Sequence, residues 1–128
     1  MQGRHGRRRR GWMRQQNRML EPALLLLLHN GPAHGYTFLD RLSEYGLVEV
    51  NPSVVYRTLR DMETRGLIES SWDDMSSHGP PRRVYRITSA GDTMLTSYTD
   101  ELMQTRHMID HLLSEYRDHM REYHGDDS

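Results

Sequence analysis

Cysteine and lysine are both absent from this 128-residue chain. Without cysteine there is no disulfide framework, no thiolate zinc site and no thiol nucleophile. Without lysine, arginine is the only strongly basic side chain; it favours forked contacts to phosphate and guanine, although a GC-rich genome would produce the same bias. No apolar run approaches the roughly 18 residues that span a bilayer, and the run Ala23–Leu28 is too short for a signal-peptide core. We therefore expect a cytoplasmic protein without a membrane partner.

Charge is unevenly distributed, although the formal total is only -1. Residues 1–18 hold seven arginines, three glycines and no acid. Residues 19–128 hold ten arginines against all 18 acids, hence a net charge of −8. This composition predicts a flexible arginine-rich arm over residues 1–18, with helix, if any, only near its end. A basic arm on an acidic body is typical of proteins with a polyanionic partner.

Hydrophobic spacing and end signals predict three short helices and a hairpin in one small domain. The helices are expected at about residues 19–29, at 35–45 and between the capping candidates Asn51 or Ser53 and Gly66. Residues 67–72 and 82–87 read as strands joined by a loop rich in serine, glycine and proline. Residues 47–50 alternate weakly and are expected to form a further short strand.

The last predicted helix, residues 89–123, is long for so small a protein. About 35 residues at about 1.5 Å each make a rod of about 50 Å, which one small domain cannot cover. A heptad register gives it an apolar seam that predicts pairing with a second copy. The expected dimer-interface residues are Leu95, Tyr98, Leu102, Ile109, Leu112 and Tyr116. An acidic tail follows at residues 125–128.

The order helix–helix–helix–strand–loop–strand is that of a winged helix-turn-helix. Three motifs make a closer match: His34-Gly35-Tyr36, Val55-Tyr56-Arg57-Thr58-Leu59-Arg60 followed by Gly66-Leu67-Ile68, and Arg83-Val84-Tyr85-Arg86-Ile87-Thr88 followed by Gly91. Together they resemble the PadR family of bacterial transcriptional regulators over about residues 19–113. The family's shorter members end after one C-terminal helix, as this chain does.

This resemblance implies a mainly α fold with a small β-hairpin wing. It divides the chain into a winged helix-turn-helix DNA-binding domain at residues 19–88 and a C-terminal dimerisation helix at residues 89–124. It also implies a homodimeric repressor that responds to a small molecule and is not an enzyme. Such a dimer would bind double-stranded DNA at a pseudo-palindromic operator.

Candidate DNA-binding residues lie on the third helix and on the wing. The residues are Ser53, Tyr56, Arg57, Arg60, His78, Arg82 and Arg83. Arginine early in a recognition helix can donate two hydrogen bonds to guanine, and wing arginines can reach phosphate or the minor groove. No acid occurs between Val50 and Arg60. The alternatives are a solvated arginine face, a solvated hairpin edge and, for Tyr56, a packing role.

An effector pocket is harder to predict. In short PadR-like proteins a tryptophan on the C-terminal helix helps form a flat ligand site at the dimer centre. The final helix here has none, because Trp12 and Trp72 lie elsewhere, and this departure argues against stacking of planar drugs. The candidate lining residues are Leu24, Leu28, Tyr98, Leu102 and Met103, with plain dimer core as the alternative.

Two other functions compete with gene-specific regulation. One is an architectural protein that binds nucleic acid nonspecifically. The other is a metal-responsive sensor that uses His107 and His111, whose i,i+4 spacing can hold a divalent ion on one helix face. Polar residues beside the seam are the simpler interpretation of these two histidines.

We expect no cofactor, because the chain has neither a glycine-rich phosphate loop nor an identifiable catalytic set.

Overall fold

The structure is a computed structural model that describes the backbone of residues 2–73, 79 and 81–125, and the side chains of this part except at residues 2–9, 12, 13 and 124. The elements are α1 (Gln2–His29), β1 (Ala33–His34), a 3₁₀ turn (Gly35–Thr37), α2 (Phe38–Glu44), α3 (Pro52–Thr64), β2 (Ile68–Asp73), β3 (Arg82–Ile87) and α4 (Ser89–Gly125). The strands form an antiparallel sheet in the order β1-β3-β2. The predicted class, mainly helical with a small β-hairpin wing, is confirmed.

The chain divides into two compact units, and the core of the first, Met1–Leu95, is built from leucines of α1. Leu20, Leu24 and Leu28 recur at helical spacing and are nearly or fully inaccessible to solvent. They are joined by Phe38 and Leu42 of α2 and by the apolar stripe of α3, which consists of Val55, Leu59 and Met62. Burial of several large apolar side chains, at about 1.5–3 kcal/mol each, is what holds the three helices together.

The N-terminal prediction needs correction, because α1 begins at Gln2 and residues 2–18 are helical rather than a flexible arm. Arginine, glutamine and methionine are good helix formers, and they outweigh the roughly 1 kcal/mol cost of each interspersed glycine. Gln16 also ties this part of the helix to the domain. Its side chain is buried, and its Oε1 accepts the backbone N–H of Glu49 at 3.0 Å.

The strand predicted at residues 47–50 is also wrong. Residues 47–50 form no strand; the third strand is instead β1, only two residues long, which pairs Ala33 with Tyr85 and His34 with Val84. Leu47 is buried without strand pairing, and its N–H donates to the Leu42 carbonyl at 3.1 Å behind the turn that ends α2. The weak alternation of this segment therefore reflects one anchored leucine beside an exposed Val48.

Two compact units divide the chain, Met1–Leu95 and Thr96–Ser128, and the boundary falls within α4. The helix α4 begins where predicted and spans 37 residues, about 55 Å at about 1.5 Å per residue. In the part of the chain that the structure describes, no helix has the length and apolar character needed to cross a membrane.

Candidate nucleic-acid interface

The helix α3 presents a polar face with two arginines. Asn51 caps the helix, with its Oδ1 accepting the backbone N–H of Ser53 at 2.8 Å, and Pro52 occupies the first turn. Pro52 fits there because its missing N–H has no partner in a helix in any case. The apolar stripe turns inward, so Ser53, Arg57 and Arg60 are exposed to solvent. They lie on one side of the helix because their spacings follow the helical repeat.

Two acidic residues lie close to Arg57 in the folded protein, although the sequence just before Arg57 contains no acid. A cavity of about 270 Å³ is lined by Arg57, Thr58, Glu21 and Asp61. The two carboxylates are bridged by Arg65, whose Nη1 lies 2.8 Å from Glu21 Oε1 and 2.8 Å from Asp61 Oδ2. Arg65 therefore offsets much of the negative charge next to Arg57. Glu21 belongs to α1, so its position could not be read from the sequence around Arg57.

The hairpin β2–β3 is the wing, and its register separates the two wing arginines. Trp72 pairs with Arg83 and Asp73 pairs with Arg82. Because successive side chains in a strand point to opposite faces, Arg82 and Arg83 lie on opposite faces of the wing. The sequence-based prediction named both as wing contacts to phosphate or the minor groove and did not separate their faces. The alternation of the strand predicted at residues 82–87 would have separated them.

Arg82 is held on its face by an aromatic side chain. Its Nη1 donates to the Tyr36 hydroxyl at 3.0 Å, and its guanidinium carbon lies 5.0 Å from the centre of the Tyr36 ring. His34 lies beside it, with Nε2 3.3 Å from Asp73 Oδ2. These contacts attach the loop end of the wing hairpin to β1 and to the 3₁₀ turn. Tyr36 is 58% exposed, so the pair remains accessible to a ligand.

Arg83 is held on the face that lies towards α3. Its Nε donates to Ser70 Oγ at 3.0 Å, and its guanidinium carbon lies 5.2 Å from the centre of the exposed Trp72 ring. Ser70 in turn donates to the carboxylate of Glu63 on α3, with oxygen separations of 2.6 and 2.8 Å. This chain of hydrogen bonds connects α3 to the wing. Sequence reasoning missed Tyr36, Trp72 and the Glu63–Ser70 contact. The Trp72–Arg83 pair depends on strand register, and the other two contacts depend on how the 3₁₀ turn and α3 pack against the sheet.

Tyrosine side chains line the inner part of this interface. Tyr56 is 37% exposed and its hydroxyl donates to the Gly35 carbonyl at a long 3.4 Å, so it packs and still offers its hydroxyl to solvent. Burial raises the pKa of the Tyr85 phenol above its ordinary value of 10.0; the nearby Arg83 opposes this rise and Glu63 adds to it. Tyr85 is therefore a neutral hydrogen-bonding group at physiological pH.

The remaining predicted sites are dispersed. His78 lies outside the described residues. Leu24 and Leu28 are closed within the core of the first unit, whereas Leu102 and Met103 of the second unit are 37% and 50% exposed. Leu95 and Tyr98 are half-buried, and Ile109, Leu112 and Tyr116 are exposed. His111 lies 3.9 Å from Glu115, but no group of three metal-ligating side chains occurs among the residues that the structure describes.

Comparisons with known proteins identify the type of fold. The model of the PadR-like family of transcriptional regulators matches residues 24–97, more than half of the chain. A PadR family regulator from Eggerthella lenta DSM 2243 is 24% identical, with a TM-score of 0.75 over 88% of this chain and 97% of that one. A PadR-like regulator from Bacillus cereus is 27% identical, with a TM-score of 0.66 over 74% and 91% of the two chains. An uncharacterised protein of Lysinibacillus sphaericus is 26% identical over 71% of this chain and 84% of its own length.

Proposed function

Because this chain belongs to the PadR-like family of transcriptional regulators, we propose that it is a homodimeric, sequence-specific repressor that responds to a small molecule. PadR-like regulators bind DNA and are not enzymes. Our proposal adds four things to this family assignment: gene-specific control, a dimer, a response to an effector, and the residues responsible for each.

The observation that carries the proposal is the joined surface of α3 and the wing. Arg57 and Arg60 on the exposed face of the helix lie beside a hairpin that carries Arg82 and Arg83 near the loop end of β3. In a helix-turn-helix the recognition helix enters the major groove, where a forked arginine–guanine contact gives roughly 1–3 kcal/mol of discrimination. We assign α3 to this role and Ser53, Tyr56 and the wing arginines to supporting contacts.

The apolar seam of α4 supports a dimer. Ile109, Leu112 and Tyr116 are 47%, 63% and 62% exposed in the single chain, and they recur at heptad spacing, which suits pairing with another helix. A two-fold dimer would set two α3 helices about 34–36 Å apart, in successive major grooves of a pseudo-palindrome. A bacterial regulator meets its DNA in the cytoplasm, so a DNA partner also supports the predicted cytoplasmic location of this protein.

An effector would act on the geometry of that dimer. A ligand shifts such an equilibrium only by binding one inter-subunit arrangement more tightly than the other. The candidate lining of Tyr98, Leu102 and Met103 belongs to the same helix as the seam. We keep these three residues as the proposed effector-responsive region. Leu24 and Leu28 are not part of it, because both are closed within the core of the first unit.

Comparison of specific with nonspecific binding tests the regulator. Footprinting on the gene's own upstream region would identify an operator, and its affinity is then compared with that of a random duplex at equal salt. A repressor of this kind should prefer its operator by at least about 10³. A ratio near one would instead identify an architectural protein and reject gene-specific control. Loss of a metal response in a His107→Ala, His111→Ala double variant would identify a metal sensor.

A further inference from the structure

A cleft, here called the α3–wing cleft, separates the C-terminal half of α3 from β3. Its volume is about 300 Å³, and it is lined by Arg60, Glu63 and Thr64 from the helix and by Arg83 and Tyr85 from the strand. A water molecule takes up roughly 30 Å³ of liquid. The cleft therefore has room for a group several times larger than water, such as a phosphate with part of its sugar neighbours.

Positive charge exceeds negative charge in the α3–wing cleft. Two guanidinium groups, those of Arg60 and Arg83, stand against the single carboxylate of Glu63. That carboxylate is already engaged by the Ser70 hydroxyl. The Arg60 guanidinium, by contrast, forms no hydrogen bond or ion pair with the residues that the structure describes. The cleft is thus chemically suited to an anion.

Arg83 is oriented before any ligand arrives. Ser70 accepts the Nε–H, and the Trp72 ring lies against the guanidinium. These contacts leave the terminal nitrogens for a partner, and arginine commonly binds phosphate through two parallel N–H bonds. A side chain held in this way loses less conformational freedom on binding, which favours affinity.

We propose that the α3–wing cleft binds one phosphodiester of the DNA backbone, with Arg60 and Arg83 as the phosphate ligands and Glu63 and Ser70 as positioning residues. The inference rests on the proposed function. A helix in the major groove and a wing over the adjacent minor groove are separated by one sugar–phosphate strand, which then passes between α3 and the wing. Arg57 is left as the arginine of α3 that reads bases.

The main test compares arginine variants of the full-length protein. Affinity is measured as a function of salt concentration for an operator duplex and for a random duplex. Arg60→Ala and Arg83→Ala should each lower affinity about tenfold on both duplexes, as expected when a hydrogen bond to a charged group is removed. The slope of log K against log salt should become shallower by about 0.9 for each phosphate that the variant no longer neutralises. Arg57→Ala should instead reduce the difference between the two duplexes.

Two neighbouring serines provide a matched pair for the positioning role. Ser70→Ala removes the link between Glu63 and Arg83, whereas Ser71→Ala removes only the acceptor of a 3.1 Å bond from Arg86 on the other face of the strand. Ser70→Ala should lower affinity for both duplexes and make the salt slope shallower; Ser71→Ala should do neither. Thermal unfolding of all variants shows whether any loss of affinity comes from the fold instead.

Three results would overturn the assignment of the α3–wing cleft as a phosphodiester site. The first is a change of base preference in Arg60→Ala, which would make Arg60 a base-reading residue. The second is an unchanged salt slope in Arg83→Ala. The third is saturable binding of inorganic phosphate by the DNA-free protein that disappears in the double arginine variant, because the cleft would then be a site for free anions. The salt slope is measurable on any duplex. Failure of phosphate binding in the α3–wing cleft is therefore distinguishable from failure of gene-specific control.

Discussion

At the scale of single residues, close approach at Gly91 fixes the start of α4. The Thr88 hydroxyl oxygen accepts the N–H of Gly91 at 3.1 Å and lies within 2.7 and 3.0 Å of the Gly66 and Leu67 carbonyls. Gly91 is buried, and a β-carbon placed on it would lie 2.1 Å from the Leu67 carbonyl oxygen and 2.7 Å from Ile87 Cγ1. Only glycine allows the helix this close to the sheet.

Gly91→Ala should therefore destabilise the protein. Overpacking against other side chains typically costs 1–3 kcal/mol, and because the nearest atom here belongs to the backbone we expect a loss of at least about 2 kcal/mol in the free energy of unfolding. Denaturant titration measures it. Gly11→Ala is the matched control, since its β-carbon would meet nothing within 4 Å in α1. It should be neutral or stabilising by up to about 1 kcal/mol, and equal effects of the two substitutions would contradict this packing.

At the scale of elements, local signals were sufficient where caps and periodicity agreed. The bounds of α3, of β3 and of the start of α4 follow from Asn51, Pro52, Gly66 and the period of apolar residues. Two elements could not be found in this way. The strand β1 has only two residues and exists because β3 pairs with it. The first half of α1 has an arginine–glycine composition typical of a flexible segment, and its anchor, Gln16, bonds to a residue far along the chain.

Asn51 allows capping to be separated from charge at the end of α3 expected to face DNA. Asn51→Ala removes the acceptor of the Ser53 N–H, and it should lower the free energy of unfolding by about 1 kcal/mol. Asn51→Asp keeps a good cap and complements the helix dipole, so stability should be retained. Its added negative charge should nevertheless weaken DNA binding. Thermal unfolding and binding measured side by side test both effects. If Asn51→Asp binds DNA as well as the parent, this end of α3 does not approach phosphate.

At the scale of the whole molecule, the sequence shows where positive charge is concentrated better than how it is arranged in space. The basic clusters of α3 and of the wing were predictable, because acids are missing from the segments around these arginines. Part of their arrangement was not. The opposite faces of Arg82 and Arg83 follow from the alternation of a strand, whereas the acids beside Arg57 include Glu21 from α1. The position of Glu21 is a long-range relation that a local pattern does not contain.

The dimer is the prediction that belongs to this scale. Leu112 occupies a core position of the proposed heptad seam and is 63% exposed in the single chain, so Leu112→Glu would introduce charge where two apolar surfaces should meet. By sedimentation at micromolar concentration, the parent should be a dimer and this variant a monomer. Its affinity for a full operator should fall by a factor on the order of 10²–10⁴, because two linked half-site interactions become independent.

Ser114→Glu supplies the matched control for the dimer. It adds the same charge to the same exposed helix two residues further on, at a heptad position that faces away from the seam. Both its dimer and its operator affinity should be preserved. Affinity for an isolated half-site should remain close to that of the parent in both variants, because the α3 and wing surface is unchanged. A Leu112→Glu variant that stays dimeric and binds the full operator normally would assign dimerisation to another surface of the chain.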